Sequence, residues 1–186
     1  GEIARIQRET GVTTLYVTHD QSDAMALADR LLVMNDGEIA GRGRPRELYE
    51  SPPTPFVASF LGRSNALSAT VVDRDPLRIA VGDGTVTLPE ANVAASIGTA
   101  VTCHIRPEHL TLRSSDGDER SLTGTVERVA DVGSRYDVTV TLPTGEELVV
   151  ERRGDPPAAG EDVAVGFPAA KAVLFADDAA NRLTRS

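Results

Sequence analysis

The fold of this chain is decided at residues 12–26, which read Val12-Thr13-Thr14-Leu15-Tyr16-Val17-Thr18-His19-Asp20-Gln21-Ser22-Asp23-Ala24-Met25-Ala26. Residues 12–17 are β-branched or apolar without strict alternation, which is typical of a strand buried in a parallel sheet. Asp20 suits the cap of a following helix, and Asp23 suits its first turn. A histidine between such a strand and such a helix lies where α/β proteins place groups that contact phosphate. The stretch therefore predicts part of a nucleotide-binding α/β domain.

The remainder of residues 1–62 predicts short helices around one hairpin. A helix before the strand is expected to end at Gly11, because glycine adopts a left-handed cap without strain. The turn at Asn35–Gly37 is typical of a tight hairpin between strands Leu31–Met34 and Glu38–Ala40. Pro45 suits the first turn of a helix, and residues 56–61 predict a last apolar helix that ends at Gly62.

From about residue 65 onward the pattern is nearly all β. Leu122–Val126 and Tyr136–Leu142 alternate with period two, and a turn at Pro143–Gly145 leads into a strand at Glu147–Glu151. Further short strands are predicted at Ala69–Val72, Arg78–Val81, Val101–Ile105, Leu110–Leu112, Asp162–Phe167 and Ala172–Phe175. Many short strands at this spacing indicate a small OB-like barrel. The tail after Asp177 is expected to be loose.

Composition excludes several classes of protein. The chain has 186 residues and a net charge of −9, from 28 acidic and 19 basic residues. This balance argues against a general nucleic-acid binder, which needs a basic surface. Cys103 is the only cysteine, so no intramolecular disulfide is expected and a reducing cytoplasm fits best. No apolar run approaches the ~18 residues that span a membrane, so we expect membrane association only through a partner.

An ordered set of residues resembles the end of the ATP-binding subunits of ABC importers, in the branch that serves sugar, polyamine and ferric-iron uptake. The set comprises Thr18-His19-Asp20-Gln21, Ala24, Ala28-Asp29-Arg30, Val33-Met34, Gly37, Ile39, Gly43, Pro45, Glu47, Tyr49, Pro52, Phe56-Val57-Ala58, Phe60 and Gly62. In that branch an OB-like accessory domain of TOBE/MOP type follows, and Ile105-Arg106-Pro107-Glu108-His109-Leu110 resembles its recurring R-P-E strand. Two residues depart from the family pattern, Asp23 where glutamate is common and Gly41 where glutamine is common.

The resemblance implies that His19 is the switch histidine, which contacts the γ-phosphate of ATP. An imidazole N–H donates to a phosphoryl oxygen as charge spreads over it, and a neutral ring relays a proton. The complete parent would use ATP and Mg²⁺ and would work with a second copy of itself and with membrane permease subunits. It would lie in the cytoplasm, at the cytoplasmic face of the inner membrane, and the transported solute is not encoded here.

The sequence lacks the other parts of an ATPase site. It contains no G-x-x-x-x-G-K-[ST] phosphate-binding loop and no L-S-G-G-Q-like signature. Residues 31–36 imitate the strand that carries a Mg²⁺-binding aspartate, but Asp36-Gly37 forms a hairpin turn and follows the histidine instead of preceding it. We therefore expect this chain alone to bind no cofactor and to be no enzyme, its front portion lying elsewhere, whereas the full-length parent is a transport ATPase.

Candidate ligand or regulatory residues in the β region are Arg106, Glu108 and Arg135. In the resembling family this domain serves dimer contacts, contacts with regulatory proteins or the sensing of small ligands. His104 and His109 flank the R-P-E motif, but on one extended strand they would point to opposite faces. No metal site is therefore expected.

The expected fold class is mixed, a C-terminal fragment of a P-loop-type α/β nucleotide-binding domain followed by an all-β OB-like barrel. The expected domains are 1–62 for the ATPase segment, 63–176 for the barrel and 177–186 for a flexible tail.

The leading function is the regulatory and dimerising C-terminal region of an ABC importer ATP-binding subunit. The alternative is a free-standing MOP-like barrel that binds an oxyanion or another small ligand. A nucleic-acid-binding OB module is disfavoured, because four Phe, three Tyr and no Trp leave few stacking platforms.

Overall fold

The computed structural model describes residues 2–82, 84–88, 95–114 and 121–176. The chain divides into two compact units, the first ending at Gly62 and the second, here called the β domain, beginning at Arg63. The flexible tail expected at 177–186 lies outside the described residues. Among the helices of the described ranges, none has both the length and the apolar character needed to cross a membrane.

The first unit consists of four short helices and one hairpin. Its elements are α1 (Glu2–Thr10), α2 (Gln21–Leu27), β1 (Leu31–Asn35), β2 (Glu38–Gly43), α3 (Pro45–Glu50) and α4 (Pro55–Phe60). The predicted helix end at Gly11 is confirmed, since this residue has a φ of 66° and its N–H bonds the carbonyl of Gln7. The predicted hairpin turn is confirmed too, with Asp36 and Gly37 at φ values of 49° and 81°.

The strand predicted at residues 12–17 is not formed. These residues carry neither helix nor strand, and Leu15 and Val17 are 84% and 87% exposed. A strand buried in a parallel sheet is held by hydrogen bonds to strands beside it. The described part of the chain contains no strand paired with this segment, so its apolar side chains have nothing to be buried against.

A small apolar cluster holds the first unit together. Its buried members come from the hairpin and the two helices after it: Leu31, Val33, Leu48, Val57 and Leu61. Helix α4 starts with a side-chain cap, in which the Val57 N–H donates to Thr54 Oγ1 at 3.2 Å. Pro45 and Pro55 each occupy the first turn of a helix, as their fixed φ and missing N–H favour.

The β domain contains two five-stranded antiparallel sheets. Its strands are β3 (Asn65–Arg74), β4 (Leu77–Val81), β5 (Gly84–Leu88), β6 (Ala100–Ile105), β7 (Thr111–Ser114), β8 (Leu122–Asp131), β9 (Tyr136–Thr141), β10 (Glu147–Arg152), β11 (Asp162–Gly166) and β12 (Val173–Ala176). The first sheet has the order β12-β6-β3-β4-β5 and the second the order β10-β9-β8-β11-β7. All five strands of the second sheet thus lie, in the sequence, between β6 and β12, which are neighbours in the first sheet.

One core of aliphatic side chains lies under both sheets. In β3 the buried and exposed residues alternate, so that Leu67, Ala69 and Val71 point inward. Val138, Val140, Leu148 and Val150 are fully buried on the second sheet and belong to the same core. This is the all-β, OB-like architecture expected from the sequence, although the hydrogen-bonded strands of the described ranges form two sheets and no closed ring. Strand β5 was not predicted.

Hydrogen bonds from a side chain join the two sheets at a place where no backbone ladder connects them. Asn65, at the start of β3, bonds both backbone groups of Val149 in β10. Its Nδ2 donates to the Val149 carbonyl at 2.9 Å, and the Val149 N–H donates to Asn65 Oδ1 at 2.8 Å. Asn65 is only 7% exposed, so these bonds are shielded from water. Asn65 therefore connects the first sheet to the edge strand of the second.

We expect Gly124→Ala to lower the free energy of unfolding of the β domain by ~1–3 kcal/mol, the usual cost of overpacking. A Cβ at this position in β8 would lie 2.6 Å from Val140 Cγ1 and 2.8 Å from the Thr141 carbonyl oxygen. Gly166→Ala in neighbouring β11 is the matched control, because its nearest atom, Thr111 Oγ1, lies at 3.4 Å. Urea unfolding of both variants measures the difference, and equal stabilities would contradict the expectation.

Candidate functional site

His19 lies in the exposed segment that precedes α2. The residues on either side of it shape the start of that helix. The Asp20 N–H donates to Thr18 Oγ1 at 2.9 Å, and the Asp23 N–H donates to Asp20 Oδ1 at 3.0 Å. The predicted cap at Asp20 is therefore confirmed, and its carboxylate accepts a hydrogen bond from the first turn of α2. The exposed imidazole is accessible to a ligand, and its role as switch histidine stays a prediction.

The R-P-E motif does not form the single strand expected from the sequence. Strand β6 ends at Ile105, and Pro107–His109 form a turn of 3-10 helix. Proline fixes its own φ and has no N–H to give to a ladder, which explains why pairing stops here. Arg106, between the two elements, is 6% exposed, and its Nη1 donates to the Arg63 carbonyl oxygen at 3.0 Å. The motif thus turns the chain and buries a guanidinium.

Arg135 bridges two carboxylates on adjacent strands. Its Nε lies 3.4 Å from Asp137 Oδ1 and its Nη2 lies 3.3 Å from Glu151 Oε1. Asp137 and Glu151 are direct partners in the ladder between β9 and β10, where like charges oppose each other unfavourably. Arg63 forms a second ion pair with Asp137. We call Arg63, Arg135, Asp137 and Glu151 the ion-pair cluster.

The cluster changes the pKa of Asp137. Partial burial raises this pKa, whereas the hydrogen bonds and positive charges of Arg63 and Arg135 lower it, and the net pKa lies below the usual value of 3.8. Asp137 is therefore ionised at neutral pH and accepts bonds from both arginines. The cluster is a charged, hydrogen-bonded surface feature of β9 and β10.

Glu108 is one of the residues that line a groove beside the ion-pair cluster. The groove has a volume of about 340 Å³ and is lined by Glu108, Leu110, Thr111, Leu112, Glu151, Arg152 and Arg153. Glu151 belongs to both the groove and the cluster. The structure therefore brings Arg106, Glu108 and Arg135 into one region of the β domain, linked through Arg63 and Glu151. His19 lies in the other unit.

Sequence reasoning missed Arg63, Asp137 and Glu151. Asp137 and Glu151 stand at equivalent outward positions of two strands joined by a hairpin, which is a usable signal for a cross-strand charge pair. Arg63 carries no such signal, because its partner lies 74 positions away. Its role follows only from the tertiary structure.

The two histidines of the β domain lie in different elements. His104 in β6 is 5% exposed, and its Nδ1 lies 3.2 Å from Ser64 Oγ. Burial and the nearby charge of Arg106 lower its pKa, so the neutral ring is favoured. His109 belongs to the 3-10 turn, and its Nδ1 is buried without a hydrogen-bond partner in the described part of the protein. Within that part no three His, Cys, Asp or Glu side chains gather as metal ligands.

Asp137→Asn should destabilise the β domain at neutral pH by ~1 kcal/mol, because it leaves two guanidinium groups without their shared carboxylate. An Asp whose pKa falls on folding stabilises above its ordinary pKa of 3.8, and this stability disappears as the pH drops through the lower, folded value. Urea unfolding at pH 7 and near pH 3 should therefore show a gap that shrinks in acid. Glu9→Gln, which breaks the exposed Arg5–Glu9 pair, is the control with little effect at either pH. A gap of equal size at both pH values would contradict the proposed role of the carboxylate.

The β domain matches a known family. Residues 103–175, from β6 to β12, match the TOBE domain. The fold is also similar to that of the cytoplasmic molybdate-binding protein ModG, in its crystal form with molybdate bound. The TM-score is 0.51 at 17% sequence identity, over 59% of this chain and 94% of that chain. At this identity the similarity concerns the fold alone.

Sequence relatives extend across both units. The chain is 41% identical over 159 residues to the spermidine/putrescine import ATP-binding protein PotA of Acidothermus cellulolyticus, covering 83% of this chain and 41% of that protein. It is 35% identical over 184 residues to the PotA protein of Ruegeria pomeroyi, covering 95% of this chain and 49% of that protein. It is 33% identical over 184 residues to the maltose/maltodextrin import ATP-binding protein MalK of Vibrio cholerae, with the same coverage.

The chain thus spans about half the length of the curated relatives it matches, between 41% and 49%. The relatives are import ATP-binding subunits, which agrees with the resemblance of the ordered residues of the first unit, and the TOBE match includes the R-P-E motif of the β domain. Across both compact units the chain is therefore similar to ABC importer ATP-binding subunits, and the TOBE match together with these relatives supports its being the C-terminal part of such a subunit.

Proposed function

We propose that this chain is the regulatory and dimerising C-terminal region of a subunit that couples ATP hydrolysis to solute uptake. The observation that carries the proposal is the identity of 33–41% to import ATP-binding proteins, which extends over both compact units. The complete subunit would bind ATP and Mg²⁺, pair with a second copy and drive permease subunits at the cytoplasmic face of the membrane. Polyamine uptake is favoured by the names of several relatives, the PotA proteins.

His19 would act on the γ-phosphate from the segment before α2. Three features support this role: the imidazole is exposed, the adjoining helix has a defined start at the Asp20 cap, and Asp20 itself is engaged in capping. An imidazole N–H would donate to the transferring phosphoryl group, where fixed donors contribute strongly to catalysis. One histidine is too little for turnover, because amides that cradle phosphates and a carboxylate that holds Mg²⁺ are also needed.

The β domain would regulate the ATPase through contacts of its surface. Two charged surface features, the partly exposed ion-pair cluster and the adjoining groove, would contact a second copy or a regulatory protein. Arg135 and Glu108 would lie at such a contact. Arg106 would contribute to this contact only indirectly, through its hydrogen bond to the Arg63 carbonyl oxygen, because its own side chain is buried.

In the complete subunit, His19→Ala should reduce ATP hydrolysis by ~100-fold or more, the usual loss when a donor to the transition state is removed. ATP affinity should stay within a few-fold, because the phosphate-binding loop would carry most ground-state binding. Phosphate release and nucleotide titration measure the two quantities separately. His109→Gln, a histidine change in the β domain, is the control with a nearly unchanged rate.

The 186-residue chain by itself serves as a second arm of this experiment. With ATP and Mg²⁺ it should release no phosphate above buffer. Turnover by the chain that is lost in His19→Ala would overturn the proposal that its site is incomplete. An unchanged rate in the complete His19→Ala subunit would overturn the role of His19.

The similarity to ModG favours one alternative, a β domain that binds an oxyanion. Calorimetric titration of the chain with molybdate and with sulfate tests it. We expect no saturable heat, because the guanidinium groups of Arg63 and Arg135 are already paired with carboxylates and that of Arg106 is buried. Saturable binding that is weakened by Arg135→Gln would favour the alternative over a purely protein-contacting domain.

A further inference from the structure

The first residues of β3 have a strand on one side only. Asn65–Ala69 pair with β6 along their length, whereas pairing with β4 begins at Ala69. Residues 65–68 directly follow the boundary between the two compact units. An edge segment with a single ladder is prone to local opening, because few hydrogen bonds hold it. The chain enters the β domain through this segment.

On the side of β3 that has no neighbouring strand, side-chain hydrogen bonds hold its first residues. Asn65 forms its two bonds to Val149, and the Ser68 N–H donates to Glu146 Oε1 at 2.8 Å. Glu146 is itself oriented, since Thr144 Oγ1 donates to its other oxygen at 3.1 Å. Both partners lie in or next to β10. The start of β3 is therefore bonded on both sides, once by a ladder and once by side chains.

The two residues before Asn65 are also held. The Arg63 guanidinium pairs with Asp137 in β9, and the Arg63 carbonyl accepts a bond from the buried Arg106. Ser64 Oγ lies 3.2 Å from Nδ1 of the buried His104 in β6. Three consecutive residues thus each have a partner on a different strand or turn. Such bonds, partly shielded from water, are costly to leave unmade.

We propose that Arg63, Ser64 and Asn65 form an anchor, a conformational device that fixes the chain to the β domain at the unit boundary. When the chain is displaced at Gly62, the anchor distributes this displacement over β6, β9 and β10. Without the anchor, the first residues of β3 would separate from β6. Asn65 is its central member, because it bonds a strand of the other sheet through both donor and acceptor. The anchor consists of contacts within the β domain and requires no ATPase activity.

Limited proteolysis of the whole chain with trypsin tests the anchor. Trypsin cleaves after arginine, so the Arg63–Ser64 bond reports opening of the anchor. Arg153, exposed in the loop after β10, provides an internal reference site. In the unaltered chain, cleavage after Arg63 should be much slower than cleavage after Arg153. Asn65→Ala should raise the ratio of the two rates by about tenfold or more, because cleavage follows local opening.

Two further variants separate the anchor from general stability. Asn35→Ala, at the exposed end of β1, is the matched control and should leave the ratio unchanged. Asp137→Asn removes the ion-pair partner of Arg63 at the surface and should raise the ratio by a smaller factor. This variant keeps the test open if Asn65→Ala does not fold.

Hydrogen exchange of single amides provides the second readout. The Val149 amide donates to Asn65 Oδ1, so its exchange should accelerate about tenfold or more in Asn65→Ala. The Val163 amide in β11 should keep its rate.

Fast cleavage after Arg63 in the unaltered chain would overturn the proposal. Equal acceleration of both amides and both cleavage sites would also overturn it, since that result indicates global destabilisation.

Discussion

The backbone of Val149 imposes the constraint on which the β domain depends. Strand β10 is the edge of the second sheet, and Val149 turns one N–H and one carbonyl away from β9 toward the first sheet. Buried backbone groups must find partners, because leaving them unbonded costs as much as losing a hydrogen bond. A single amide side chain, that of Asn65, satisfies both. The two sheets can therefore share one aliphatic core, and the charged side chains of β9 and β10 keep fixed positions at the surface.

Sequence periodicity predicted most strands because their burial depends on neighbours close in the chain. Leu122–Val126 and Tyr136–Leu142 alternate with period two, and the turn before β10 carries Pro143 and Gly145. Residues 12–17 show the limit of this reasoning. Their composition predicts a buried strand, but a strand exists only where another pairs with it, and the described residues provide none. Strand β5 was missed although Thr85, Val86, Thr87 and Leu88 alternate between polar and apolar side chains, which is a signal of the same kind.

The candidate site was predictable in part for a similar reason. Arg106, Glu108 and Arg135 stand in or near short motifs, and the structure collects them in one region. The partners that organise them, Arg63 and Asp137, are far apart in sequence and meet only through strand order. His19 was singled out by the local strand-to-helix pattern and its resemblance to a family. Local pattern thus selects candidate residues, whereas tertiary structure decides which of them lie close together.

The position of β12 has a consequence for the synthesis of the protein. Strand β6 is complete early, but its outer neighbour is made only after all five strands of the second sheet. On the ribosome, the edge of β6 would stay unpaired during this interval, and unpaired edges are templates for unwanted association. Pairings between distant segments also form slowly. The second sheet is therefore synthesised before β12 can pair with β6, and this edge of the nascent β domain stays open until β12 appears.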